Sequence, residues 1–166
     1  MTGFGFYHDE TPRFIAELAD TPAMRRLKNV GMNCGCEYTS FSRFSSIQPY
    51  SRFTHSIGTG LITWHFTGDA AASAAALLHD IATPVFAHTV DFLNGDYLLQ
   101  ESTENRTAAI ISSSPELMAV LAGYGLSVED VEDYHRYPIA DNDSPKLSAD
   151  RLEYTLGNAV NYGFAD

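Results

Sequence analysis

Apolar residues recur at helical spacing along most of the chain. Phe14, Ile15 and Leu18 follow Thr11-Pro12, and proline is well tolerated in a first helical turn. Asp20-Thr21-Pro22 punctuates the chain and opens a second helix. It carries Met24, Leu27 and Val30 on one face, sets Arg25, Arg26 and Lys28 elsewhere, and ends at Gly31. Little periodicity is left between Gly31 and Tyr50, a stretch rich in Ser, Gly and Thr that reads as a loop, with Phe41 to Ile47 as a candidate short extended piece. Ser51 to Phe66 reads as a helix with Phe53, Ile57, Leu61 and Trp64. Asp69 to Leu78 is dominated by alanine, the best helix former, whose small side chain also lets a neighbouring helix approach closely. A short helix is predicted from about Pro84, stopped by Asn94-Gly95, and further helices at Ser102 to Ser112, Pro115 to Ala122, Ser127 to His135 and Ser148 to Ala159. No convincing period-2 strand, internal repeat or linker-like boundary appears. The pattern predicts an all-α chain, with 1–166 as one domain.

Composition narrows the functional classes. The 166 residues are 45% hydrophobic, enough for a real core, and carry a formal net charge of −11. That balance argues against a nucleic-acid backbone or an anionic membrane surface as partner, since both are gripped by clustered Lys and Arg. No basic segment followed by an apolar one opens the chain, and Ala70 to Leu78 is far too short to span a bilayer, so a cytoplasmic protein is expected. Cys34 and Cys36 are the only cysteines; their C-x-C spacing disfavours an unstrained mutual disulfide, and both are read as reduced. The apolar end (Val160, Tyr162, Phe164) follows closely on the last helix, which points to a domain truncated or incomplete there, or to a homo-oligomer that completes its core through a partner.

The residues that carry chemistry are His55, the adjacent pair His79-Asp80, and Asp150. Imidazole nitrogen and carboxylate oxygen are the usual ligands of first-row transition metals at sites that keep positions open for water and substrate. A His-Asp pair at a helix end suits such a site, because a terminating helix no longer sends neighbouring side chains to separate faces. Taken singly these residues are weak signals, and His8, His65 and His135 read as ordinary surface or packing residues.

The words around them form a pattern. Ser51-Arg52-Phe53-Thr54-His55-Ser56-Ile57-Gly58 resembles the first-ligand motif of the HD superfamily of metal-dependent phosphohydrolases, and Ala76-Leu77-Leu78-His79-Asp80-Ile81 resembles the HD signature itself. Phe86-Ala87-His88 follows at the family's spacing, and Leu147-Ser148-Ala149-Asp150-Arg151-Leu152-Glu153-Tyr154 resembles the segment that supplies the last ligand. The stretch from Asp20-Thr21-Pro22 to Gly31 is similar to the helix preceding this site in the deoxynucleoside triphosphate triphosphohydrolase branch. The resemblance covers most of the chain in the correct order. It implies an HD-domain helical bundle around a metal site, with His55, His79, Asp80 and Asp150 as ligands of one divalent transition metal (Fe, Mn, Zn, Ni or Co) or of Mg. It further implies His88 and Asp91 in proton transfer, and Arg52 near the substrate phosphates, with Lys146 and Arg151 as further candidate phosphate contacts.

The likeness breaks at two points. Thr83 and Thr103 stand where the triphosphohydrolase branch has histidines, and threonine donates a hydrogen bond but is no general acid near neutral pH. Either Glu101 or Glu104 takes over the lost acid–base role, or the chain binds metal without efficient turnover. The expected function is therefore a phosphohydrolase acting on a nucleotide or related phosphate ester, with the metal, Arg52 and help from Arg106, Lys146 or Arg151 forming a positive pocket. The alternative is a non-catalytic, metal-stabilised module that binds a nucleotide or a protein partner.

Overall fold

Asp69 shows how local chemistry starts the central hairpin. Its carboxylate accepts from the backbone N–H groups of Ala71 and Ala72 at 2.8 and 3.1 Å, satisfying two donors that a helix start leaves over. Behind this cap lies α4 (Ala70–Leu78), and before it α3 (Arg52–Thr67), capped by the Ser51 hydroxyl on the Thr54 N–H. Every residue of α4 from Ala72 to Leu78 is buried, as expected of a helix apolar all round. Asp69→Ala is expected to lower stability by about 1 kcal/mol in urea unfolding, with Asp69→Ser restoring most of it.

The computed structural model describes residues 7–33, 35–45, 48–86, 88–95, 106–143 and 145–164, except the side chains of Glu37, Arg43 and His88. Around the α3–α4 hairpin stand α1 (Arg13–Ala19), α2 (Pro22–Arg25, continued by a 3-10 turn over Arg26–Asn29), α5 (His88–Leu93), α6 (Thr107–Ser112), α7 (Pro115–Gly123), α8 (Val128–Val131) and α9 (Ala149–Asn161). No strand occurs among the described residues; Gly31 and Ser51 form an isolated antiparallel bridge that ties the end of the α2 segment to the start of α3. The chain is thus an all-α bundle. Its core joins Ile15 and Leu18 of α1, Met24 and Leu27 of the α2 segment, Leu61 of α3, and Leu77 and Leu78 of α4 to Ile81, Ile111, Leu117 and Leu121. No helix among the described residues is long and apolar enough to cross a membrane.

Three local expectations are corrected. The described part of 41–47 is not extended: Ser42–Phe44 forms a 3-10 turn, and no strand among the described residues lies beside it to receive its backbone groups. The helix expected from Pro84 begins at His88, after a turn at Val85 and Phe86. The helix expected over 127–135 is α8 followed by a separate 3-10 turn, Tyr134–Arg136, where the Asp133 carboxylate accepts from the His135 N–H and favours a turn over continued helix.

Candidate metal centre

The site is assembled at the start of α3, the end of α4 and the start of α9. Arg52 and His55 lie three residues apart in α3 and therefore share a face. Both are buried, at 7% and 1% exposure. At the end of α4 the α-helix gives way to a 3-10 turn over His79–Ala82. The tighter winding lets His79 and Asp80 converge: His79 Nε2 lies 3.5 Å from Asp80 Oδ2. The Ser148 hydroxyl caps α9 on the Arg151 N–H, and Asp150 and Glu153, again three apart, face α3.

Each donor has a fixed aim. His79 Nδ1 donates to the Ala76 carbonyl at 2.7 Å, which leaves Nε2 for the centre of the site. His55 Nδ1 is bound to Glu153 Oε2 at 2.5 Å, which does the same for its Nε2. The two Nε2 atoms are 3.3 Å apart. Asp80 Oδ1 accepts from Arg52 Nη1 at 2.8 Å and from the Thr83 hydroxyl at 2.7 Å, turning Oδ2 toward the histidines. Asp150 Oδ1 lies 2.8 Å from His55 Nε2 and 3.6 Å from His79 Nε2.

Two donors each about 2.1 Å from one ion lie at most about 4.2 Å apart. Among His55 Nε2, His79 Nε2 and Asp80 Oδ2 the separations are 3.3, 3.5 and 3.9 Å, all inside that limit. These three therefore fit a single ion, with Asp150 beside both imidazoles as a further oxygen, and mixed nitrogen and carboxylate ligands suit a first-row transition metal. Charge agrees: Asp80, Asp150 and Glu153 outnumber Arg52, so the pocket favours a cation.

Without the ion, protons and Arg52 carry that positive charge. Burial alone would lower the His55 pKa, but hydrogen bonds to Asp150 and Glu153, with the charges of Glu153 and Asp80, push it up to about 10. Burial would raise Asp80, yet the Arg52 guanidinium, both histidines and the Thr83 hydroxyl hold it well below the usual carboxylate range. Asp150 is lowered as well: its burial acts upward and is outweighed by the His55 hydrogen bond and the histidine charges.

The structure thus brings His55, His79, Asp80 and Asp150 together, and sets Arg52 behind Asp80. Arg151 is turned elsewhere: it donates from Nε to the Lys146 carbonyl at 3.0 Å and from Nη2 to Asn142, and pairs with Asp141 at 3.3 Å, so it braces those three residues. Lys146 is exposed. Asp91 is buried at 3% on α5. The His88 side chain, Glu101, Thr103 and Glu104 lie outside the described residues. Thr83, expected as a lost histidine, serves Asp80 directly. Sequence reasoning missed Glu153, although its spacing from Asp150 was a usable signal. Tyr7 and Tyr50, which also bind Glu153, carried no such signal.

Fold and donors define an all-α protein whose buried histidine–carboxylate cluster is suited to one metal ion. No protein-family model matches the chain. It is 28% identical over 150 residues to the uncharacterized protein YdhJ of Bacillus subtilis, a match covering 90% of this chain and 44% of that protein. It is 27% identical over 150 residues to a metal-dependent phosphohydrolase of Cordyceps militaris, covering 90% of this chain and 41% of that enzyme. The chain therefore spans less than half the length of these curated relatives.

Proposed function

We propose that this chain is an HD-type, metal-dependent phosphohydrolase acting on a nucleotide or a related phosphate ester. The observation that carries the reading is the convergence of His55 Nε2, His79 Nε2, Asp80 Oδ2 and Asp150 Oδ1 from three helices. The similarity to a metal-dependent phosphohydrolase supports it. The chemistry such an ion supplies when bound is Lewis acidity toward a phosphoryl oxygen and a pKa of water lowered toward ~7. The chain's own residues do the rest. Arg52 holds Asp80 in place and puts a guanidinium charge one carboxylate away from where negative charge develops. His88, at the first turn of α5 and three residues before Asp91, is assigned the proton transfer. Tyr134, whose ring centroid is 5.2 Å from that of His79, walls one side.

The test is plasma mass spectrometry on protein purified without chelators, followed by phosphate release from a panel of nucleoside mono-, di- and triphosphates. Near-stoichiometric Fe, Mn, Zn, Ni or Co and turnover of some panel member are expected. His88→Ala should lower turnover about 10²-fold or more while keeping the metal; an unchanged rate removes His88 from the mechanism. Protein that binds none of these ions overturns the metal reading. One observation favours a second reading, a metal-stabilised binding module. Thr83 stands where an acid–base histidine belongs in the triphosphohydrolase branch, and its hydroxyl is committed to Asp80. Full metal occupancy with no turnover on any substrate would select that reading.

A further inference from the structure

Glu153 is the most deeply buried carboxylate among the described residues, at 1% exposure, and it is not one of the four donors. Its Oε2 lies 2.5 Å from His55 Nδ1, the ring nitrogen turned away from the other donors. Oε2 also accepts a short hydrogen bond from the Tyr50 hydroxyl, and Oε1 accepts from the Tyr7 hydroxyl at 2.9 Å. Both phenol pKa values are raised, by burial first and then by the charge of Glu153, so both hydroxyls stay protonated as donors. A buried carboxylate is tolerated only when its oxygens are satisfied in this way.

The helices are cut to seat this group. An ideal Cβ on Gly58 of α3 would lie 2.5 Å from Glu153 Cγ, and one on Gly157 of α9 would lie 2.8 Å from the Tyr50 hydroxyl oxygen. Glycine is the poorest helix former short of proline. Both helices nonetheless carry it at the two positions where a methyl group would displace the carboxylate or its phenol. Side chains 7, 50 and 153 come from three distant parts of the chain to meet one imidazole nitrogen.

We propose that Glu153, seated by Gly58 and Gly157 and held by Tyr7 and Tyr50, is a positioning residue that sets metal affinity through His55. It fixes the Nδ1–H tautomer, aims Nε2 at the ion and makes the imidazole a stronger donor. This is the role that outer carboxylates play behind metal-bound histidines. The inference rests on the reading of His55, His79, Asp80 and Asp150 as a metal site.

The test is the affinity for Mn and Zn, read by competition with a chromophoric chelator, for the parent, Glu153→Gln, Tyr50→Phe, Gly58→Ala and Asp80→Ala. Glu153→Gln keeps the shape and loses the charge; its affinity should fall 10- to 100-fold. Tyr50→Phe and Gly58→Ala should weaken binding in the same direction. Asp69→Ala, which removes a helix cap outside this network, should leave affinity unchanged and so separates a site effect from general loss of stability. In Zn-loaded parent protein, long-range nitrogen–proton NMR should show His55 protonated at Nδ1 and coordinated through Nε2. Parental affinity in Glu153→Gln and Tyr50→Phe, with binding abolished in Asp80→Ala, overturns the positioning role alone. A parent chain that binds neither ion overturns the metal reading and this inference with it. Should Glu153→Gln fail to fold, Tyr50→Phe decides by the same comparison.

Discussion

Asp80→Ala is expected to abolish metal binding and, in metal-free protein, to lower stability by about 3–5 kcal/mol. The first effect follows from loss of one ligand oxygen together with the anchor of the 3-10 turn that presents His79. The second comes from Arg52. Its Nη1 lies 2.8 and 3.0 Å from the two Asp80 oxygens, and the residue is only 7% exposed. Removing the carboxylate leaves a buried guanidinium without that counter-charge, which costs more than the pair itself contributes. Relief of the repulsion between Asp80 and Asp150 offsets part of this loss. Urea unfolding of chelator-treated protein reads the stability, and plasma mass spectrometry reads the metal. The double variant Arg52→Met, Asp80→Ala should regain much of the stability while still binding no metal. If Asp80→Ala unfolds at the parental midpoint, the ion pair is not formed in solution.

Metal affinity is expected to rise about a hundredfold between pH 6.5 and pH 8.5, one decade per unit, as one proton is displaced for each ion bound. His55 is the cause. In metal-free protein its pKa stands at about 10, so its Nε2 carries a proton that donates to Asp150 and must leave before coordination. The sign for stability follows from the same shift. The folded pKa is raised above the ordinary imidazole value near 6.5, so this contribution is fully present below that pH and fades as pH climbs through the raised value. Metal-free protein should therefore lose stability from neutral pH upward, and metal-loaded protein should gain relative to it over the same range. Calorimetric titration in buffers of different ionisation enthalpy counts the protons released. Affinity that does not change with pH would mean that His55 is already neutral.

The helices were legible where a strong pattern met a cap. Ser51 and Asp69 mark the starts of α3 and α4, and the alanine run announces a buried helix. Ser127 begins a real capping box, yet α8 stops after Val131 because Asp133 offers its backbone a competing turn. That His55, His79, Asp80 and Asp150 share one site was legible because the words around them are local in sequence. The network behind them was not, since the Tyr7–Glu153 and Tyr50–Glu153 bonds join residues 146 and 103 positions apart. Arg52 was legible as a charge near the site. Its engagement with Asp80 needed the packing of α3 against the end of α4.

Helix α9 buries only Ala149 and Glu153; Leu156 and Val160 along it are 38% and 49% exposed. Polar bonds add to its hold on the bundle: Glu153 to His55, Tyr7 and Tyr50, Asp150 to His55, and Asn161 to the Gln48 N–H. Detachment of α9 breaks that whole set of bonds at once and opens the site. Residence time of the ion would then depend on that opening as well as on bond strength. A bound ion would in turn act as the bolt that keeps the last helix on the bundle.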